Sequence, residues 1–119
     1  MLTIEKLRAY GANVDEGLGR CMNNEAFYLR LVNMAVDDAG FERLRTALEQ
    51  GNWKEGFEAA HALKGMLGNL SLTPVCKPAS DLTELLRTET ATGTEADCRA
   101  LLEETLRQRE KLLKLRDEA

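Results

Sequence analysis

The sequence predicts an all-α protein, most simply an antiparallel four-helix bundle with short N-terminal helices capping one end. Four long segments carry apolar residues at helical spacing and are joined by short connections. Only two prolines occur in 119 residues, and aromatic residues make up 5% of the chain, too few for a typical β-sandwich. The length fits a single domain, 1–119, with the bundle at about 24–117 and the short helices within 1–23.

Two short helices are predicted before the bundle. The first spans about Thr3 to Tyr10 and ends at Gly11, because glycine readily adopts the left-handed conformation that terminates helices. The second spans about Val14 to Cys21 and is weakened by two internal glycines.

The first long segment starts after Asn24, whose side chain suits a helix N-cap. Its apolar positions are first Phe27, Leu31, Val32, Met34 and Ala35, and then Phe41, Leu44 and Leu48. Residues 37–40 interrupt the pattern between the two sets, so one long kinked helix and two abutting helices both fit. Gly51 and Asn52 then mark a clear break before the next helix.

The second long helix is predicted from about Trp53 to Leu70, with Glu55 three residues after Asn52 as in a capping box. Trp53 is expected to anchor its start in the core. The helix contains His61, the only histidine of the chain. At about 100° per residue, His61 points away from an apolar stripe made of Ala59, Leu63, Met66 and Leu70. We therefore expect the imidazole on the solvent face.

The third long helix follows a short turn at residues 71–73. Pro74 fits a first helical position, but Pro78 removes a hydrogen bond four residues later, so a proper start near Pro78 is also open. The apolar pattern continues to about Glu89, and residues 90–94, including Gly93, predict a loop.

The last helix is predicted from about Glu95 to Asp117. Thr94 and Asp97 suit its N-terminal cap. Its apolar positions, among many charged residues, are Cys98, Leu101, Leu102, Leu106, Leu112, Leu113 and Leu115.

Charge and composition argue against several classes of function. The net charge of -4 and the isoelectric point near 5.1 disfavour nucleic acid and anionic membrane surfaces as partners. No apolar run is long enough to span a membrane, and no signal peptide precedes the first helix. The three cysteines, Cys21, Cys76 and Cys98, lack metal-ligand spacing and are interpreted as reduced thiols of a cytoplasmic protein.

The neighbours of His61 allow two interpretations each. Gly65 and Gly68 share its face and are each unfavourable in a helix by about 1 kcal/mol relative to alanine, which indicates close approach by a partner; drift on a tolerant surface is the alternative. Lys64 is either a solvated charge or a cation that neutralises a phosphoryl group on the imidazole. Phe57, one turn earlier, either contacts a docking partner or packs against a neighbouring helix.

The chain lacks the motifs of an enzyme with its own nucleotide site. No P-loop, kinase loop set or nucleophile elbow is present, and Asp37 and Asp38 form only a bare acidic pair. No second histidine or cysteine pair supports zinc. A neutral imidazole is a nucleophile near pH 7. If His61 carries a phosphoryl group, other proteins must therefore place it there and remove it.

The segment Ala60-His61-x-Leu63-Lys64-Gly65-x-x-Gly68-Asn69-Leu70 resembles the signature of histidine-containing phosphotransfer (HPt) domains of two-component phosphorelays. The likeness covers about Asn24 to Leu115. It implies a four-helix bundle whose exposed histidine exchanges a phosphoryl group with the aspartate of a receiver domain. By this resemblance His61 is phosphorylated, Lys64 stabilises its charge and Gly65 lets the receiver dock. Gly68 and Asn69 fill the small and polar positions of the motif.

The resemblance has departures. Ser71 stands where glycine is common, and Gly56 stands where a larger apolar residue is common, which predicts a locally loose core. Pro74 and Pro78 make the start of the next helix irregular. None of these residues belongs to the group that accepts the phosphoryl.

The expected function is therefore that of a monomeric phosphorelay intermediate, not an enzyme, without cofactor or metal of its own. Mg²⁺ is expected on the partner, a response-regulator receiver domain; a sensor or hybrid histidine kinase is the second expected partner. The alternative is a helical interaction module that binds receiver domains without phosphoryl transfer. Met1 and the complete bundle favour a free-standing protein over a domain of a larger kinase, which would have the same chemistry.

Overall fold

The computed structural model describes residues 1–87 and 95–118. These residues form the helices α1 (Ile4–Tyr10), α2 (Val14–Arg20), α3 (Glu25–Val36), α4 (Gly40–Glu49), α5 (Trp53–Asn69), α6 (Thr73–Leu86) and α7 (Glu95–Asp117). No strand occurs in this part of the chain. The predicted all-α class is confirmed. None of the described helices is long and apolar enough to cross a membrane.

Helices α4 to α7 form the bundle, and neighbours along the chain run antiparallel. The register of α5 and α6 shows this directly. A Cβ placed on Gly56, near the start of α5, would lie 3.6 Å from Leu86 at the end of α6, whereas one placed on Gly68, near the end of α5, would lie 3.7 Å from Cys76 near the start of α6. Short connections leave antiparallel packing as the direct way to bury the apolar faces of successive helices.

The helices α1 to α3 cap the end of the bundle where α5 ends and α6 begins, whereas the cap was predicted for the short helices α1 and α2 alone. The buried hydroxyl of Tyr28, on α3, donates to the carbonyl of Leu70 at 2.8 Å. At the same end, the amino group of Met1 and Nζ of Lys6 donate to carbonyls at the end of α7, including that of Leu115 at 3.0 Å. The N-terminal residues thus fasten the last helix as well as the turn after α5.

The first long segment is two abutting helices, α3 and α4. Asp37 is the C-cap of α3, and the Asp38 carboxylate accepts a hydrogen bond of 2.8 Å from the backbone N–H of Gly40 at the start of α4. An ion pair of 2.8 Å between Asp37 and Arg116 holds this junction against α7.

The apolar positions predicted for α3 are partly wrong. Phe27 and Met34 are 38% and 62% exposed, whereas Tyr28, which was not predicted as a core residue, is fully buried. The buried face of α3 consists of Tyr28, Val32, Ala35 and Val36. It is rotated from the predicted face because the tyrosine hydroxyl finds a buried acceptor at the C-cap of α5.

Local signals at helix ends are confirmed. Asn24 and Asn52 cap α3 and α5, and their side chains accept from the N–H of Phe27 at 3.0 Å and of Glu55 at 3.2 Å. Gly11 ends α1 with φ +109°, a left-handed conformation that glycine adopts without strain. Small differences concern Thr3, Cys21 and Leu70, which are caps and not helical residues.

Helix α6 starts at Thr73, so the alternative start near Pro78 is wrong. Pro74 lies in the first turn, where a missing N–H is harmless. Pro78 lies inside the helix and is buried, at the expense of one helical hydrogen bond. The helix ends at Leu86 with Arg87 as its C-cap. The predicted continuation to Glu89, the loop at residues 90–94 with Gly93, and the Thr94 cap lie outside the described residues.

The loose core predicted at Gly56 is also wrong. Gly56 is buried, and a Cβ there would lie only 2.8 Å from Cδ2 of Leu48. The side chain of Leu48, on α4, therefore fills the space that a larger residue at position 56 would need.

Candidate functional site

The imidazole of His61 is exposed in the middle of α5, as predicted. The buried residues of this helix are Gly56, Ala59, Ala60, Leu63 and Leu67. The predicted stripe omitted Ala60 and Leu67, and its member Met66 is only half-buried. At about 100° per residue, the centre of the buried face lies about 140° from His61. The side chain therefore faces solvent.

Phe57 contacts His61 directly. The two rings are stacked with centroids 5.6 Å apart and planes inclined by 6°. Phe57 is half-buried and packs against the edge of the core, and the guanidinium of Arg87, on the end of α6, lies 5.5 Å from the centre of its ring. The ring thus packs against a neighbouring helix and also supports the imidazole; the docking contact stays a prediction.

Lys64 lies one turn after His61 and points towards α6. Its Nζ is 3.8 Å from an Oε1 of Glu84, and its side chain is 36% exposed. Glu84 accepts two shorter hydrogen bonds from Arg87, at 3.0 and 3.1 Å. The Arg87 guanidinium and, to a lesser extent, Lys64 hold the pKa of the Glu84 carboxyl below its ordinary value. The flank of His61 towards α6 therefore carries two cations that share one carboxylate.

The two glycines of the motif have different surroundings. Gly65 is exposed, and a Cβ placed on it would meet no atom within 4 Å. Gly68 is half-buried at the boundary with α6, where a Cβ would touch Sγ of Cys76 at 3.7 Å. The bare backbone next to His61 is therefore that of Gly65, and Gly68 lies to one side of the open face.

Asn69 is exposed at the last position of α5. The helix end around it is fixed through backbone carbonyls, because Arg20 donates to the carbonyl oxygens of Gly68 at 3.1 Å and of Asn69 at 3.3 Å. Asn69 thus lies on the rim of the surface that includes Gly65, about two turns beyond His61.

Sequence reasoning missed Glu84 and Arg87. Their spacing predicts a pair on one face of α6 but nothing about His61. Only the antiparallel register of α5 and α6 brings the end of α6 beside Phe57 and Lys64. In the part of the chain that the structure describes, no group of three or more His, Cys, Asp and Glu side chains is placed to hold a metal ion.

The fold and the site define a helical bundle with an exposed imidazole, an adjacent cation and an open stretch of backbone on one helix. A family model described as Hpt domain matches residues 35–117, more than half of the chain. The protein therefore belongs to the Hpt domain family, whose members are phosphocarrier modules of histidine phosphotransfer in two-component phosphorelays. Such domains interact with kinases and response regulators.

The matched residues contain α4 to α7 and His61, whereas α1, α2 and most of α3 precede them. Comparison with curated proteins gave no match, and comparison with solved structures gave none either.

Proposed function

We propose that the protein is a phosphorelay intermediate that accepts a phosphoryl group on His61 and exchanges it with the aspartate of a response-regulator receiver domain. The observation that carries the proposal is the position of the only histidine, exposed in mid-helix between a stacked aromatic ring and a lysine. Membership of the Hpt domain family supports phosphotransfer as the chemistry.

In the proposed step, the lone pair of an imidazole nitrogen of His61 forms a bond to phosphorus. The bond between phosphorus and the aspartyl oxygen of the receiver breaks, its electron pair leaves with the carboxylate, and the proton on the other ring nitrogen passes to solvent. Phosphoryl transfer depends on in-line positioning and charge stabilisation. Phe57 restricts the imidazole, Lys64 offsets the charge of the phosphoryl oxygens, and the receiver supplies the Mg²⁺.

The proposed docking face consists of Phe57, Gly65, Gly68 and Asn69. Gly65 is its most open point, because no atom lies within 4 Å of a Cβ placed there. A receiver loop can therefore approach the α5 backbone beside His61 without displacing a side chain. Gly68 and Asn69 extend this surface towards the end of the helix.

The proposed partners are a receiver domain and a sensor or hybrid histidine kinase. No ATP site of its own is required, since the kinase makes the first phosphohistidine and the receiver exchanges the group with His61. We expect a monomer in the cytoplasm, and size-exclusion chromatography with light scattering tests the oligomeric state.

The test is phosphoryl labelling of the wild type and of His61→Gln by a phosphorylated receiver domain, and by phosphoramidate as a small donor. The wild type should gain an acid-labile, base-stable label, and His61→Gln should gain none. Its circular dichroism and thermal unfolding should stay those of the wild type, because His61 is exposed. Lys54→Gln, an exposed change at the start of the same helix, serves as the matched control. Labelling of His61→Gln at the wild-type level would refute the assignment.

The interaction module without phosphoryl transfer predicts a different result. Receiver domains would bind the wild type in isothermal titration calorimetry, but neither donor would label it. The two functions are thus separated by measuring binding and labelling on the same samples.

A further inference from the structure

Glu84 connects Lys64 to Arg87 across the boundary between α5 and α6. Its Oε1 lies 3.8 Å from Nζ of Lys64 and 3.0 Å from Nη2 of Arg87. All three side chains are between about one third and three fifths exposed, so solvent reaches each of them. The carboxylate is therefore an anion that already interacts with the cation next to the nucleophile.

The two contacts of Glu84 differ in strength. Arg87 donates two hydrogen bonds of 3.0 and 3.1 Å and is only three residues away on the same helix turn. The contact with Lys64 is long, at the outer limit of an ion pair, and crosses between helices. Arg87 thus fixes the carboxylate in place, while Lys64 is held loosely enough to leave it.

We propose that Glu84 is a positioning residue that competes with the phosphoryl group of His61 for the ammonium of Lys64. The proposal rests on the proposed function of His61. In the unphosphorylated protein, Lys64 is drawn towards α6. A phosphoryl group carries close to two negative charges and three strong acceptor oxygens, which favour it over one carboxylate as the partner of Lys64. On phosphorylation, Lys64 exchanges one anion for another, and Glu84 keeps its bonds to Arg87.

The exchange of partners by Lys64 lowers the stability of the phosphohistidine. Because Lys64 must first leave Glu84, it stabilises the phosphohistidine less than a lysine without a carboxylate partner would. The phosphoryl group is then given up more readily to the next aspartate, which suits a carrier in the middle of a relay. Removing the carboxylate should shift the balance towards phosphohistidine.

The test compares Glu84→Gln with the wild type in labelling by phosphoramidate, followed by intact-protein mass spectrometry. The initial rate should rise about two- to five-fold, the range expected when one exposed ion pair is removed. The control is Asp81→Asn, which makes the same change in charge one turn earlier on α6. Asp81 is paired with Lys77 at 3.3 Å and has no contact with Lys64, so its rate should equal that of the wild type.

A second pair of variants identifies the route of the effect. In a Lys64→Ala background, the further change Glu84→Gln should leave the rate unaltered, since the two substitutions then act through one interaction. If Glu84→Gln raises the labelling rate as much in the Lys64→Ala background as in the wild type, the effect comes only from removing a negative charge near the phosphoryl group. That result overturns the proposal. An unchanged or lower rate for Glu84→Gln alone overturns it as well.

The outcomes also separate this inference from the proposed function. If the wild type is labelled and Glu84→Gln is labelled at the same rate, only the role of Glu84 is refuted. Absence of label on a folded wild type refutes the carrier function and the competition together, because no phosphoryl group would then compete for Lys64.

Discussion

Replacing Gly65 by alanine should stabilise the protein, whereas the same replacement at Gly56, on the same helix, should not. Neither glycine has a positive φ, so an alanine fits both backbones without strain. Helix propensity favours alanine over glycine by about 1 kcal/mol at both positions. The two variants therefore differ only in what the new methyl group meets.

The structure gives the sign and the size of that difference. At Gly65 the methyl group meets no atom within 4 Å, so Gly65→Ala should raise the free energy of unfolding by about 1 kcal/mol. At Gly56 it would lie 2.8 Å from Cδ2 of Leu48, a side chain that is only 1% exposed and cannot move into solvent. Overpacking of this kind destabilises by about 1–3 kcal/mol, so Gly56→Ala should be between about neutral and 2 kcal/mol less stable.

The assay is urea unfolding at pH 7, followed by the fluorescence of Trp53 and by circular dichroism. The unfolding transitions seen by the two probes should coincide, and the slope of the free energy of unfolding against urea concentration should equal that of the wild type. Together these results establish that only stability has changed. Because propensity cancels between the variants, their difference isolates the contact with Leu48. Equal stabilities for the two variants, or a Gly65→Ala protein less stable than the wild type, would refute the reasoning from packing.

The same position tests the docking face. Gly65→Gln keeps the gain in helix propensity but places a long side chain beside His61. Transfer from a phosphorylated receiver domain should fall at least about tenfold, as for a clash of about 1.4 kcal/mol at a docking site. Labelling by phosphoramidate, which needs no docking, should fall much less. Receiver transfer at the wild-type rate would count against a docking role for Gly65.

Two further predictions follow from contacts in the structure. Phe57→Ala should slow labelling by phosphoramidate a few-fold, because the ring stacked on His61 at 5.6 Å no longer restricts the imidazole. Phe57→Leu restores apolar packing without the stacked ring, so it should recover more of the free energy of unfolding than of the labelling rate. Burial raises the pKa of the Tyr28 hydroxyl to about 12, so the folded protein keeps a proton that the unfolded chain loses near pH 10. The contribution of this proton to the free energy of unfolding is complete below about pH 10 and is lost as pH rises to about 12. At pH 7, Tyr28→Phe should lower the free energy of unfolding by about 1 kcal/mol, because the hydrogen bond to Leu70 is lost. Between pH 8 and pH 11, urea unfolding should show a smaller fall in the free energy of unfolding for Tyr28→Phe than for the wild type.

The sequence predicted most of the helices because their ends are decided locally. A side-chain oxygen at Asn52 satisfies an N–H three residues away, and a glycine at position 11 can adopt a left-handed φ, whatever the rest of the chain does. The position of His61 on the solvent face follows in the same way from the helical repeat. These interactions all lie within one or two turns, where spacing along the chain and distance in space agree.

What the sequence could not predict depends on contacts between helices. Tyr28 is buried because its hydroxyl reaches the carbonyl of Leu70, and no local pattern distinguishes it from the exposed Phe27 beside it. Glu84 and Arg87 lie beside the histidine only because α5 and α6 pack in one particular register. A shift by one turn would place different side chains next to Lys64.

The departure at Ser71 links the site helix to the N-terminal cap. Ser71 has φ +55°, a left-handed conformation that costs a non-glycine residue roughly 1 kcal/mol, which explains why glycine suits this position. Here the side chain makes two bonds that offset the strain: its hydroxyl donates to Glu16 at 2.7 Å and accepts from Arg20 at 2.8 Å. Both partners belong to α2, which lies outside the residues matched by the family model. A serine at the end of the histidine helix and an added helix that supplies its partners thus explain each other. A glycine would relieve the strain but remove the two hydroxyl bonds to α2, leaving that helix attached to the turn through backbone carbonyls such as those of Gly68 and Asn69.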